Sequence, residues 1–289
     1  MFQLENETLR VVIDAKGAEL KSIFHKEFAL EYMWNADPKY WAKSSPVLFP
    51  IVGALKTNTY FYNGKSYTLP RHGFARDKTF EVTAQQADAI TFSIKSDAET
   101  LPVYPFPFAL SIHYKLANDS LTVGYEVMNT GKGDMFFSIG AHPAFKVPLV
   151  QGTAYDDYKL IFEKAETAPR WPISKEGLIE REPEPLLNNT NELPLTKKLF
   201  GKDALVFKHL QSQAVRLQSD KTTHGLQFSF PNFPYLGLWA APGADFVCIE
   251  PWCGVADSVD TDQQLEHKEG MIHLEPETAF SVQWHAQFY

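Results

Sequence analysis

The chain has 289 residues, 44% of them hydrophobic and 21% charged, a globular composition with enough apolar material for a large core and none of the bias of a disordered chain. A net charge of -8 with no basic run excludes nucleic acid and anionic membrane as expected partners. No stretch of 18 uninterrupted apolar residues is present, so no membrane span is expected.

The first residues, MFQLENETLRVV, lack a basic region followed by an apolar stretch, and with only two cysteines, Cys248 and Cys253, a cytoplasmic protein with free thiols is expected. DPKYWAK (37–43) could form a helical turn or two, and SSPVLFPIVGALK (44–56) follows, apolar but bracketed by Pro46, Pro50 and Gly53. LPRHGFARDK (69–78) places His72 before a glycine and Arg76 four residues on. Residues 80–96 and 108–129 each alternate as strand, polar turn, strand, with Ala117 to Ser120 as the second turn. FSIGAHPAFKV (137–147) begins as a strand with Phe137, Ile139 and Ala141 on one face and Ser138, Gly140 and His142 on the other, so small residues lead up to an imidazole. The Pro-, Glu- and Asn-rich stretch from about 164 to 199 reads as a long surface excursion, with LPLTKKLF (193–200) a second place for a helical turn.

Alternation resumes in ALVFKHL, AVRLQSD, LQFSF, LGLWAA, DFVCIEP and the closing AFSVQWHAQFY. Strands every 8 to 15 residues with helical periodicity nearly absent predict an all-β chain, a large antiparallel sandwich or barrel, and no composition shift divides residues 1–289 into more than one domain.

DFVCIEPWCGVAD (245–257) carries the strongest chemical signal. Parity puts Phe246, Cys248 and Glu250 on one face and Val247 and Ile249 on the other. A carboxylate in the interior costs several kcal/mol unless partnered. Glu250 is therefore either held by amides or an arginine, or is a general base whose apolar neighbours raise its pKa toward the working range. His142 and His72 have corresponding alternatives, packed imidazole or site residue. Nine histidines warrant a test for metal, but no His-x-His or His-x-x-x-His spacing occurs and the two cysteines lack a second pair, so no metal and no cofactor are expected. Phosphate loops and nucleophile elbows are absent as well.

Taken in order, SPVLFPIVGALK, LPRHGFARDKTFEV, FSIGAHPAFKVPL, KDALVFKHLQSQAVRLQS and YLGLWAAPGADFVCIEPWCGVADS resemble the aldose 1-epimerase (galactose mutarotase-like) superfamily, nearest its LacX-like branch, from about residue 44 to 258. The resemblance implies a galactose mutarotase-like supersandwich with very few short helices and a sugar cleft on a sheet face. It implies Glu250 as catalytic base, His142 as general acid and His72 as the histidine that holds the sugar near its ring oxygen. It places Asp203 on the sugar hydroxyls and Arg76 in the site. Where the family commonly has arginine, this chain has Ala54, and Lys56 is the expected substitute on the same strand face.

The implied reaction interconverts the α and β anomers of a free hexose through ring opening, with a small-molecule sugar as partner and a monomer or weak homodimer as the expected state. Two other readings stand beside it: a non-catalytic carbohydrate-binding protein on the same fold, and a hexose-phosphate 1-epimerase whose phosphate meets Arg76, Lys56 or Lys43. A glycoside hydrolase or lyase ranks last, because only one carboxylate has a strong placement argument.

Overall fold

The computed structural model describes residues 1–289. It is all antiparallel sheet with no α-helix. Nine strands form the largest sheet, in the spatial order Thr190–Pro194, Tyr158–Glu166, Ala214–Ser219, Leu226–Ser229, Ala279–Phe288, Ser120–Asn129, Phe108–Ala117, Ala89–Lys95 and Glu81–Gln85. Alternation sets its two faces: Phe108, Leu110, Ile112, Tyr114 and Leu116 are buried, while Ser111, His113 and Lys115 between them are not. One continuous core of 72 buried residues, from Leu4 to Phe288, joins this face to the other sheets.

A smaller five-stranded sheet carries the chemistry. Phe246–Cys253 is its central strand, flanked on one side by Tyr235–Trp239 and then Leu205–Lys208, and on the other by Ile139–Gly140 and Ala144–Lys146. All eight residues of the central strand are buried, so this sheet is covered on both faces. A second apolar cluster, including Leu48, Val52, Ile179, Val206, Trp252 and Ala256, lies apart from the main core.

The hairpins expected at 80–96 and 108–129 form, and so do the strands expected from residue 204 to the end. Three local expectations are corrected. Helical turns occur at Lys56–Asn58, Ala75–Asp77, Tyr155–Asp157 and Leu265–His267, whereas 37–43 and 197–200 make only non-helical turns. Residues 137–142 are not one strand. Met135–Phe137 pairs with Ile272–Leu274, and only Ile139–Gly140 joins the central strand. Between them the Ser138 amide donates to the Pro50 carbonyl, and its hydroxyl accepts from the Val52 amide at 3.0 Å, so the chain changes sheets at Ser138. The stretch 164–199 is also more than surface. Thr190–Pro194 forms an edge of the nine-stranded sheet, and residues 173–179 close over the cavity described next.

Candidate active site

Glu250 projects from the central strand opposite Gly237, and Trp252 lies opposite Gly140 on one neighbour and Tyr235 on the other. A Cβ on Gly237 would come within 2.4 Å of the Trp252 ring, and one on Gly140 within 2.6 Å. These two glycines therefore clear space for an indole. Gly140 therefore makes room for a side chain within the sheet, which differs from the direct exposure to a ligand that strand parity suggested for the small residues before His142. Neither Ser138 nor Gly140 lines the cavity.

That cavity, about 470 Å³, lies over the smaller sheet and is of a size that suits a small ligand. Its floor holds Glu250 and His142, with Oε2 of the carboxylate 3.2 Å from Nε2 of the imidazole. Both side chains are at least nine-tenths buried. The other carboxylate oxygen, Oε1, and the indole nitrogen of Trp252 are buried without a hydrogen-bond partner. Buried polar atoms are rarely left so.

Aromatic rings fix the imidazole. Trp41 stacks on His142 at 4.9 Å between centroids, while Trp239 and His72 meet it edge-on at 5.7 and 5.8 Å. Trp41 arrives on the turn after Asp37, whose carbonyl accepts from the Trp41 amide at 3.0 Å.

His72 is held by the loop at Gly53. Its Nδ1 accepts from the Gly53 amide at 3.1 Å, and its own amide donates to the Gly53 carbonyl at 2.8 Å. An accepting Nδ1 leaves the proton on Nε2, so the ring is a neutral donor. Its φ of 68° is left-handed, uncommon for a residue with a side chain and characteristic of positions held for a purpose. Gly73 follows with φ 69°, and a Cβ there would lie 2.3 Å from the Phe49 carbonyl oxygen, so only glycine allows this approach.

A charged rim completes the site. Asp203, also left-handed at φ 77°, accepts from the Ala204 amide at 2.8 Å through one oxygen and faces the Arg71 guanidinium at 4.0 Å through the other. Arg76 donates to the Arg71 carbonyl at 2.8 Å and approaches Asp77 at 3.7 Å. Gly177 passes directly over Arg71, where a Cβ would be 1.9 Å from the guanidinium.

The electrostatics follow from burial. Desolvation, reinforced by the Asp203 charge, raises the Glu250 pKa well above its ordinary value, against the opposing effects of the Trp252 N–H and Arg71. Desolvation pushes the His142 pKa down to about 3, with Arg76 and Arg71 adding to the decrease. His72 is lowered in the same way, by desolvation and then by His142 and the two arginines. Burial therefore disfavours the charged form of both floor groups.

Five of the six candidate residues, Glu250, His142, His72, Arg76 and Asp203, line this one cavity. Lys56 does not. Its ammonium donates to the Val259 carbonyl at 2.9 Å, and it is no substitute for an arginine at position 54. Ala54 is itself buried, with its carbonyl accepting from the Asp257 amide at 2.9 Å. Lys43 approaches Asp77 at 3.6 Å and also lies outside the lining. A second arginine joins Arg76 in the lining, Arg71, which the sequence places beside His72. Trp41, Trp239, Trp252 and the 173–179 segment were likewise missed, since nothing local distinguishes them from core aromatics or a surface loop. The geometry also qualifies the expectation of no metal. Ligand atoms of His142, Cys248 and Glu250 lie within 4.8 Å of one another.

The sequence matches the family model described as aldose 1-epimerase over residues 1–276. Plasmid and chromosomal forms of protein LacX from Lactococcus lactis subsp. lactis are each 37% identical over 286 residues, covering 95% of both chains. Among solved structures, a galactose mutarotase related enzyme from Lactobacillus acidophilus superposes with a TM-score of 0.95 at 36% identity, over 100% of this chain and 97% of that one. A galactose mutarotase-like protein from Lactobacillus casei does so with a TM-score of 0.94 at 30% identity, over 100% of each chain.

Proposed function

The chain belongs to the aldose 1-epimerase family, and we propose that it is a mutarotase, an isomerase that interconverts the α and β anomers of a free hexose. The observation that carries this reading is the buried Glu250–His142 pair at 3.2 Å on the floor of a sugar-sized cavity. Anomer exchange requires a proton to leave the anomeric hydroxyl while another reaches the ring oxygen. A carboxyl and an imidazole side by side, one taking a proton and the other giving one, meet that requirement without a cofactor.

In this reading, sugar oxygens meet the Glu250 carboxyl and the His142 imidazole where these two residues line the cavity. The carboxylate form of Glu250, which Arg71 and Trp252 support against the larger effect of burial, takes the anomeric proton. His142 gives its proton to the ring oxygen, and the C1–O5 bond opens to the aldehyde. Rotation about C1–C2 presents the other carbonyl face, O5 attacks it, and both protons return. His72, donating through Nε2–H, steadies the ring oxygen, while Asp203 and Arg71 bind hydroxyls on the rim. A well-placed acid or base contributes roughly 10²–10⁴-fold in rate.

The hexose-phosphate reading has one observation in its favour, the pair Arg71 and Arg76 at the cavity. Arg76 is engaged with the Arg71 carbonyl and Asp77, and Arg71 faces Asp203, so the uncharged sugar is preferred. Polarimetry on freshly dissolved α-glucose and α-galactose tests the proposal: acceleration of mutarotation that depends on Glu250 is expected. Sugar binding without acceleration would leave a carbohydrate-binding protein, and acceleration confined to the 6-phosphates would select the other epimerase.

A further inference from the structure

Cys248 shares a strand face with Glu250 and has no part in the proton transfers above. It is fully buried and, unlike Glu250 and His142, is not part of the cavity lining. Its sulfur, an imidazole nitrogen of His142 and a carboxylate oxygen of Glu250 all lie within 4.8 Å of one another, and the imidazole–carboxylate edge of that triangle is 3.2 Å. A tetrahedral Zn²⁺ with bonds of about 2.0–2.3 Å requires ligand atoms roughly 3.3–3.7 Å apart, so small side-chain rotations would bring this triangle onto one ion.

The set is also chemically selective. One thiolate, one imidazole and one carboxylate suit a borderline or soft cation and do not suit Mg²⁺ or Ca²⁺, which require an all-oxygen shell. Glu250 Oε1 and His142 Nδ1, both buried without partners, leave the two outer ligands uncommitted on their remaining faces. His142 and Glu250 both line the cavity, so an ion they hold would take up space that a sugar needs.

We propose that His142, Cys248 and Glu250 form a three-ligand site for a thiophilic divalent cation of the Zn²⁺ class, and that its occupation switches the enzyme off. Binding releases to solvent the thiol proton together with the proton that burial favours on the Glu250 carboxyl, and leaves the metal held by a thiolate, a neutral imidazole and a carboxylate. The base and acid of the proposed reaction are then both committed, so metal and sugar exclude one another. Metal binding stands independently of the mutarotase reading; only the inhibition rests on it.

Cd²⁺ is the probe, because a cadmium–thiolate bond gives a charge-transfer absorption in the near ultraviolet. Titrating the tag-free chain should produce this band at one equivalent. Cys248→Ala and Cys248→Ser should abolish it, whereas Cys253→Ala, which removes the other buried thiol, should retain it. In polarimetry, Zn²⁺ should inhibit the parent and lose at least about tenfold in potency against Cys248→Ala, the lower end of what losing a supporting ligand contact costs. Mg²⁺ should not inhibit. No band in the parent, a band that survives both Cys248 substitutions, or equal Zn²⁺ potency on parent and Cys248→Ala would overturn the proposal. A chain that shows the band but no mutarotation would keep the metal site and reject the enzyme.

Discussion

Glu250 faces Gly237 across one pair of strands, and the hydrogen that serves as the glycine's side chain is what lets the Trp252 indole lie beside the carboxylate. A Cβ at 237 would be 2.4 Å from that ring, closer than any real contact, and strand backbone cannot yield to relieve it. Gly237→Ala should therefore displace the indole and lower kcat at least about tenfold with a smaller change in KM, because the loss falls on stabilising the carboxylate as it works. Unchanged kinetics would remove Trp252 from the account.

Replacing the carboxylate tests the base directly. Glu250→Gln keeps the shape and removes the charge, and about 10²–10⁴ of the acceleration should disappear with it. His142→Asn should cost a comparable factor. Polarimetry gives the rate, and circular dichroism verifies that the sheet remains; a Gln variant as fast as the parent ends the assignment.

The same substitution should separate from the parent in stability as pH rises. Burial raises the folded-state pKa of Glu250 above its ordinary 4.5, so the folded chain binds this proton more tightly than the unfolded chain does. That contribution is complete below about pH 4.5 and is lost progressively as pH climbs toward the folded value. Gln has no proton to lose. The gap in urea midpoint between Glu250→Gln and parent should thus be near zero in acid and widen in favour of Gln above pH 4.5. His142 works in the opposite direction: its pKa of about 3 destabilises the fold as pH falls from 6.5, and His142→Asn should remove that loss. A pH-independent gap for either variant would contradict the burial argument.

Gly73→Ala probes the loop that presents His72. The new methyl group would have to enter left-handed backbone at φ 69° with the Phe49 oxygen 2.3 Å away. Activity should fall sharply, with a stability loss of about 1–3 kcal/mol in urea unfolding, the usual cost of backbone strain of this kind. A fully active, equally stable variant would show that the loop has room that its geometry denies.

A buried ion pair fixes the other side of that loop. Lys268 meets Asp257 at 3.1 Å with both side chains almost fully buried, and the second Asp257 oxygen accepts from the Lys56 amide at 2.9 Å. Lys268→Met leaves the Asp257 charge unpaired and should cost about 3–5 kcal/mol in urea unfolding. Adding Asp257→Asn should recover much of that loss, since the double variant buries no lone charge. Failure of the second change to help would mean that the pair acts mainly through Lys268 packing.

Much of this molecule is legible in one dimension. Alternation along 108–117 and 120–129 is a property of neighbouring residues, because side chains on a strand point to opposite faces regardless of what lies beyond. An acid at position 250 amid apolar residues is conspicuous for a similar reason: its cost comes from its immediate surroundings. His72 beside Gly73 marks a tight loop before any coordinates are known.

What the chain order alone does not contain is which distant segments share a surface. Ser138 reads as the middle of a strand, yet its amide and hydroxyl bond to Pro50 and Val52, and that tertiary choice moves the chain to another sheet. Gly140 clears room for an indole from residue 252, Arg71 supplies the guanidinium absent at Ala54, and the lysine at 56 turns to a carbonyl at Val259. The cluster of His142, Cys248 and Glu250 obeys no ligand spacing because two members share the central strand and the imidazole reaches them from a segment more than a hundred residues earlier. Local patterns record the preference of each residue for burial or exposure. Only the packing of sheets fixes which partner satisfies it, because that decision minimises unpaired polar groups over the whole fold at once.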